Sequence, residues 1–179
     1  MTGYFFHYLT LFGEGLIASI IIDGYNVIGI SHKDLKRQRG VFIQMLTEYR
    51  KRKNHEITVV FDGWKTGQLQ ESRSKVGGVT IIYSRIGEKA DIVIKRIIST
   101  KRHGWIVVTT DRDIANYVWA RDAVPISGED FMRIVEEPIP SYADMKEYEG
   151  EEYQKPRKKG SSRKPSKKEK AIRRALSKL

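Results

Sequence analysis

The sequence predicts an α/β fold in which helices cover both faces of a mostly parallel sheet. Short apolar runs rich in β-branched residues alternate with amphipathic stretches, the order expected of parallel strands joined by helices. Forty per cent of the 179 residues are apolar, which is enough for a sizeable core in one domain. Three of the apolar runs are followed within two residues by an aspartate.

The first half of the chain supplies two strands, a helix and a loop. Residues 16–22 (LIASIII) and 57–61 (ITVVF) are short runs of mostly β-branched residues, which favours buried strands. Between them, residues 33–53 place apolar side chains at helical spacing, which predicts an amphipathic helix. Residues 63–77 are polar and contain glycine, and we expect a loop there; a loop of that length is usually functional or disordered.

The second half of the chain continues the alternation. The last helix opens at Ser127 and Asp130, which have the spacing of a capping box, and ends near residue 135. The other predicted elements are strands at 79–83, 105–109 and 123–126 and helices at 88–101 and 113–121.

The two ends of the chain are expected to lie outside the folded domain, which we place at residues 16–137. Residues 1–15 are apolar and aromatic without the basic start of a secretory signal, so we expect a poorly ordered extension; a weak membrane or partner anchor is the alternative. Residues 138–179 read as a linker and a disordered, low-complexity basic tail, whose last ten residues could form a marginal helix. The last 25 residues hold twelve Lys and Arg against one acid, which leaves 21 of each sign in the first 154.

Acidic residues gather at the edge of the sheet where parallel α/β folds bind ligands, the carboxyl ends of the strands. Asp23, Asp62 and Asp111 follow three strands, and Glu88 and Asp91 share one face at the start of a helix. Oxygen ligands suit Mg²⁺ or Mn²⁺, which can activate water for attack on a phosphodiester. Each acid alone has a structural alternative as a turn residue or helix cap. The absence of cysteine excludes disulfides, thiolate nucleophiles and cysteine-ligated zinc.

Several polar and basic residues are candidate substrate contacts. Asn26 could bind a phosphate or hold an acidic ligand, and the alternative is a local turn. Basic residues beside the acidic helix start and in the polar loop, where Trp64 adds an aromatic ring, could meet RNA phosphates; a solvated surface is the alternative. These basic candidates are Arg85, Lys89, Lys65 and Arg73.

Four motifs in a fixed order, DGYN, VVFDG, GEKAD and VVTTDRD, resemble the YacP-like branch of the NYN domain family, within the PIN-like nuclease superfamily. The resemblance covers about residues 18–135. It implies a three-layer α/β/α sandwich, a divalent-metal pocket and endoribonuclease activity. It maps the family's acidic positions onto Asp23, Asp62, Asp91 and Asp111, with Asn26 as a polar companion; Glu88 is less secure as a direct ligand.

We therefore expect a cytoplasmic endoribonuclease that uses Mg²⁺ or Mn²⁺ and captures RNA through its basic tail. A ribosomal particle is one target, because it offers dense phosphate. A membrane role is less favoured, since the tail has few apolar anchors. The alternatives are a noncatalytic RNA- or ribosome-binding module that keeps the metal pocket, and a DNA nuclease.

Overall fold

The computed structural model describes residues 17–29, 34–63, 69–100, 104–137 and 165–179. In this part of the chain a six-stranded sheet is covered by helices on both faces, which confirms the predicted fold class. The strands are β1 (Ser19–Asp23), β2 (Glu56–Phe61), β3 (Ser72–Val76), β4 (Val79–Tyr83), β5 (Ile106–Val108) and β6 (Val124–Ile126). The helices are α1 (Gly24–Ile28), α2 (Leu35–Lys53), α3 (Ala90–Thr100), α4 (Arg112–Trp119), α5 (Gly128–Glu136) and α6 (Lys167–Leu176).

The strand order in the sheet is β3-β4-β2-β1-β5-β6. All neighbouring pairs are parallel except β3 and β4, which are antiparallel. The chain moves outward from β1 to β2 and β4, and then returns past β1 to β5 and β6. The direction of winding therefore changes between β1 and β5, and a ligand crevice is expected at the carboxyl ends of these two strands.

Alternate residues of the central strands enter two separate cores, because side chains of a strand point to opposite faces of the sheet. Ile20 and Ile22 of β1 belong to the core under α2 and α5, which includes Phe42 and Phe131. Ile21 belongs to the second core, under α3 and α4. Burial on both faces explains why β1 reads as a continuous apolar run rather than as an alternating one.

The prediction of a loop at residues 63–77 is wrong for the second half of that range. Ser72–Val76 forms β3, which pairs with β4 at one edge of the sheet. Gly77 and Gly78, with φ of 55° and 86°, make the tight turn between them, a conformation that favours glycine. The polar sequence concealed β3 because its pairing uses backbone groups and four of its five side chains are exposed. Residues 64–68 lie outside the described residues.

Residues 165–179 of the predicted tail are ordered, and the helix that the last residues could form is present as α6. Ser166 and Glu169 form a capping box at the start of α6, and Ala175 and Leu179 are buried in the first core. Tyr49 Oη donates a hydrogen bond of 2.9 Å to the Leu179 carbonyl. Packing against the core supplies the stability that an isolated short helix lacks.

The other parts of the predicted extension and tail, residues 1–15 and 138–164, lie outside the described residues. Among the helices that are described, none is long and apolar enough to cross a membrane.

Candidate functional site

Four aspartates come to the carboxyl edge of the sheet. Asp23 ends β1, Asp62 directly follows β2, Asp111 precedes α4 and Asp91 lies in the first turn of α3. The pKa of Asp23 is raised to about 7, with burial as the largest cause. The Asn26 N–H lowers this pKa, and the nearby carboxylates of Asp62, Asp111 and Asp91 raise it. The three other predicted aspartates therefore lie within electrostatic reach of Asp23.

A glycine after Asp23 allows the end of β1 to pack closely. A Cβ atom at Gly24 would overlap the Phe61 ring. The next residue, Tyr25, packs edge-on against the same ring, with centroids 5.1 Å apart. The close packing of Gly24 and Tyr25 on Phe61 therefore places Asp23 at the carboxyl edge of the sheet, where the chain turns directly into α1.

Asp62 is held by the start of α3. Its Oδ1 accepts a hydrogen bond of 2.7 Å from the backbone N–H of Ala90, so the carboxylate caps that helix. Gly63 donates to Ser84 Oγ at 2.9 Å, and a Cβ atom at Gly63 would fall on the Ser84 carbonyl oxygen. The VVFDG motif therefore fits against the segment that leads into α3 only with glycine after the aspartate.

Asp111 and Asn26 join the two sides of the winding change between β1 and β5. Asp111 Oδ1 accepts hydrogen bonds from the N–H groups of Asp113 (2.7 Å) and Ile114 (3.3 Å). Asp111 therefore caps α4, as its structural alternative predicts, and also lies at the acidic edge. Asn26 Oδ1 accepts from Thr110 N at 2.6 Å and Thr110 Oγ1 at 2.8 Å. Asn26 thus ties the end of β1 to the end of β5 and positions Asp23 relative to Asp111. The sequence analysis missed Thr110 as its partner.

Asp91 is only partly neutralised. Its Oδ2 lies 3.2 Å from Lys95 Nζ, one helical turn further along α3. Its Oδ1 is buried and has no hydrogen-bond partner among the residues that the structure describes. A buried carboxylate oxygen without a partner costs free energy that a bound cation or a water can recover. The sequence analysis did not include Lys95, although its spacing from Asp91 is that of a helical ion pair.

The structure pairs Glu88 with arginines instead of bringing it to the four aspartates. The side chain is buried, with Arg96 Nη1 at 2.8 Å and Arg85 Nε at 3.6 Å. Arg96 also pairs with Glu71. These arginines compensate the charge of Glu88, so it lacks the open oxygens that a metal ligand needs.

The other candidate substrate contacts are dispersed. Arg73 pairs with Glu71 at 2.8 Å, Arg85 is paired as above, and Lys89 is exposed beside the start of α3. Lys65 lies outside the described residues.

The donor set at this edge consists of oxygen atoms, which suits Mg²⁺ or Mn²⁺. As placed, the described residues contain no group of three acidic or histidine side chains close enough to hold an ion by themselves. Mg²⁺ typically binds one or two carboxylates and fills its other positions with water and substrate phosphate. The arrangement is therefore compatible with a cation that binds together with a phosphodiester.

Comparison with known proteins gives the same family as the four motifs. The model of the YacP-like NYN domain matches residues 20–178. The crystal structure of a point mutant of Rae1 (YacP) from Bacillus subtilis is 26% identical, with a TM-score of 0.55 over 67% of this chain and 76% of that chain. A second Rae1 (YacP) structure from the same organism is 24% identical, with a TM-score of 0.54 over 74% of this chain and 78% of that chain, and supports the fold. No curated protein sequence matches significantly. Because the family match spans most of the chain and includes α6, the chain belongs to the YacP-like NYN domain family of nuclease-type domains.

Proposed function

We propose that the protein is a divalent-metal-dependent endoribonuclease that hydrolyses RNA phosphodiesters at the carboxyl edge of its sheet. Asp23 carries the proposal: it is a half-buried carboxylate whose pKa is raised to about 7, with three more aspartates near enough to raise it. Collecting like charges at one edge costs folding free energy. That cost indicates a functional reason for the cluster, since a purely structural site would avoid it.

The residues present fit a divalent cation. Asp62 and Asp111 each use Oδ1 to cap a helix, and no hydrogen bond engages the Oδ2 atom of either among the described residues. Asp91 Oδ1 is buried, and the described part of the chain offers it no hydrogen-bond partner. Each of these aspartates therefore has one oxygen available for a cation, while the rest of the side chain is held in place. NYN and PIN-like nucleases generally use divalent metals, and Mg²⁺ or Mn²⁺ is the proposed ion here.

The ion, when bound, would polarise the phosphodiester and lower the pKa of the attacking water. The protein's own residues arrange the site around it. Backbone N–H groups in the first turns of α3 and α4 hold the carboxylates of Asp62 and Asp111. Asn26 fixes the separation between the ends of β1 and β5. Asp23, with its pKa near neutrality, releases a proton when it becomes a ligand, so cation binding should tighten as the pH rises through 7.

Capture of RNA is proposed for the exposed basic residues of the C-terminal segment. Because α6 is packed on the core, these side chains form a row fixed to the domain. The row has one acid, Glu169, and consists of Lys167, Lys168, Lys170, Arg173, Arg174 and Lys178. Such a row binds phosphate through counterion release, without sequence preference. A ribosomal particle in the cytoplasm, with its dense phosphate, is the proposed setting.

Cleavage of a labelled, partly structured RNA tests the proposal. With Mn²⁺ or Mg²⁺ we expect cutting by the wild type that EDTA and the Asp23→Asn/Asp111→Asn double substitution abolish. Asp122→Asn is a matched control: Asp122 is exposed, distant in the fold, and in a left-handed conformation (φ 54°) that asparagine tolerates. The control should cut like the wild type.

Two other outcomes would replace the proposal. RNA binding without cutting under any metal would make the protein a noncatalytic RNA-binding module. Preferential cutting of a competing DNA of the same sequence would make it a DNA nuclease.

A further inference from the structure

An arginine is clamped between two tyrosines beside the acidic edge. Arg39 of α2 donates a hydrogen bond of 2.6 Å from Nη1 to Tyr25 Oη, and its guanidinium lies 5.7 Å from the centroid of the Tyr83 ring. Tyr83 stacks on Phe61 at 5.6 Å, and Tyr25 meets the same Phe61 edge-on. The sequence analysis missed Arg39, because it is one of several basic residues on an amphipathic helix.

The position of this clamp follows from the strand register. Tyr25 lies two residues after Asp23, and Tyr83 is the register partner of Phe61, which directly precedes Asp62. The two tyrosines therefore belong to the same carboxyl edge as Asp23 and Asp62. They lie on the α2 side of the sheet, and their contacts with Arg39 place its guanidinium at this edge.

The guanidinium of Arg39 has no carboxylate partner among the described residues. Its contacts there are the Tyr25 hydroxyl and the Tyr83 ring. Arg96 and Arg73, by contrast, are paired with glutamates. Arg39 is half-buried, so packing orients its side chain. Some of the five N–H donors of its guanidinium remain available to another group. A fixed, unpaired guanidinium suits a phosphate, which it can bind through two parallel hydrogen bonds.

We propose that Arg39, oriented by Tyr25 and Tyr83, binds a phosphate of single-stranded RNA adjacent to the phosphodiester that is cut. The inference rests on the proposed function for its location beside the cut. The contact would set the path of the RNA strand across the acidic edge and offset the repulsion between that edge and the RNA. A single strand is the favoured ligand because Arg39 lies next to two aromatic side chains, and single-strand binding sites combine basic groups with aromatic rings.

Binding is measured in the Asp23→Asn/Asp111→Asn background, so that the outcome does not depend on whether the wild type cuts. The probe is a single-stranded RNA of about eight nucleotides, within the size range of single-strand sites. Its Kd is followed over a series of salt concentrations. Relative to this parent, Arg39→Gln is expected to weaken binding about tenfold at low salt and to reduce the slope of log Kd against log salt by about 0.7, the value for one phosphate contact on a single strand.

The matched control is Arg37→Gln, which removes the same charge from the same helix. Residues two apart do not share a helix face, so Arg37 should not reach this strand, and the salt slope should equal that of the parent. Equal affinity and slope for Arg39→Gln and Arg37→Gln would overturn the proposal. A weaker affinity with an unchanged slope would also overturn it, since that result marks Arg39 as a structural support only.

An NMR titration gives a second test that does not require Arg39→Gln to fold. The Arg39 Nε–H resonance of the parent, assigned with Arg39→Lys, should shift when the RNA is added and return at high salt. No shift at saturating RNA would contradict the phosphate contact.

Discussion

At the amino edge of the sheet, aromatic packing and hydrogen bonds hold neighbouring elements together, whereas the carboxyl edge concentrates like charges. Tyr49 packs edge-on against Phe131 and binds the Leu179 carbonyl. Ala18 N donates to His55 Nδ1 at 3.3 Å. At the opposite edge Asp23 is half-buried and lies close to three other carboxylates.

This difference separates the part of the molecule that stabilises the fold from the part where the proposed chemistry would take place. The carboxyl edge stores unfavourable electrostatic energy that a bound cation would relieve, which is the usual relation between stability and function in active sites. Substitutions at the two edges should therefore change stability in opposite directions.

The largest expected effect is at the amino edge. Ending the chain after residue 164 removes α6 and the buried side chains of Ala175 and Leu179. It also exposes the apolar surface on which Ile172 and Leu176 pack. We expect the free energy of unfolding to fall by about 3–5 kcal/mol, measured by urea denaturation, because several apolar side chains lose their partners.

A charge-only variant of α6 separates packing from RNA binding. Replacing the exposed Lys167, Lys168 and Lys170 by Gln should leave stability nearly unchanged and weaken RNA binding at low salt. If the truncated chain were as stable as the wild type, the docked position of α6 would be contradicted.

Asp23→Asn should have the opposite effect, making the protein more stable. The folded-state pKa of Asp23 is raised from 3.8 to about 7, so between these values the folded chain holds a proton that the unfolded chain has lost. Stability due to this group is therefore present below pH 4 and is lost as the pH rises to 7. The substitution should raise the free energy of unfolding at pH 8 by about 2–4 kcal/mol and have little effect at pH 4.

The free energy of unfolding of Asp23→Asn and of the wild type is measured by denaturation at several pH values without divalent ions. The difference between the two proteins isolates the contribution of Asp23 from that of the other titrating residues. A constant difference across the pH range would show that Asp23 is not a destabilised charge. Asp122→Asn, at an exposed site, should give no pH-dependent difference.

Tyr49→Phe is the smallest change we predict. It keeps the ring that packs on Phe131 and removes the hydrogen bond to the Leu179 carbonyl. The loss should be about 1–2 kcal/mol, because a buried carbonyl is left without its donor. Combined with the truncation after residue 164, the substitution should cost nothing further. Additive losses in a double-mutant cycle would argue against this contact.

The carboxyl-edge aspartates could be predicted from the sequence because local patterns determine their placement. The apolar β-branched runs mark β1, β2 and β5, and parallel strands bring the residues after them to one edge. Asp23, Asp62 and Asp111 follow from that rule alone. The spacing at the helix start predicts both Glu88 and Asp91, and the resemblance to the NYN family made Asp91 the more secure of the two.

The remaining features depend on contacts between residues that are distant in the chain. Glu88 is compensated by Arg96 and Arg85 rather than facing Asp23, and no local pattern distinguishes it from Asp91. The packing of α6 requires a complementary surface from Tyr49 and its neighbours, which a basic, low-complexity sequence conceals. The edge strand β3 was missed because its polar side chains have no alternating apolar pattern.

We expect the acidic edge to be destabilised until a divalent cation binds there. Thermal denaturation of the wild type and Asp23→Asn at pH 8, with and without Mn²⁺, tests it directly. Without the ion the variant should melt at the higher temperature. With the ion in about hundredfold excess over its Kd, the wild type should gain about 2.7 kcal/mol and the variant much less. An unchanged wild type, or an equal gain in both proteins, would contradict the claim.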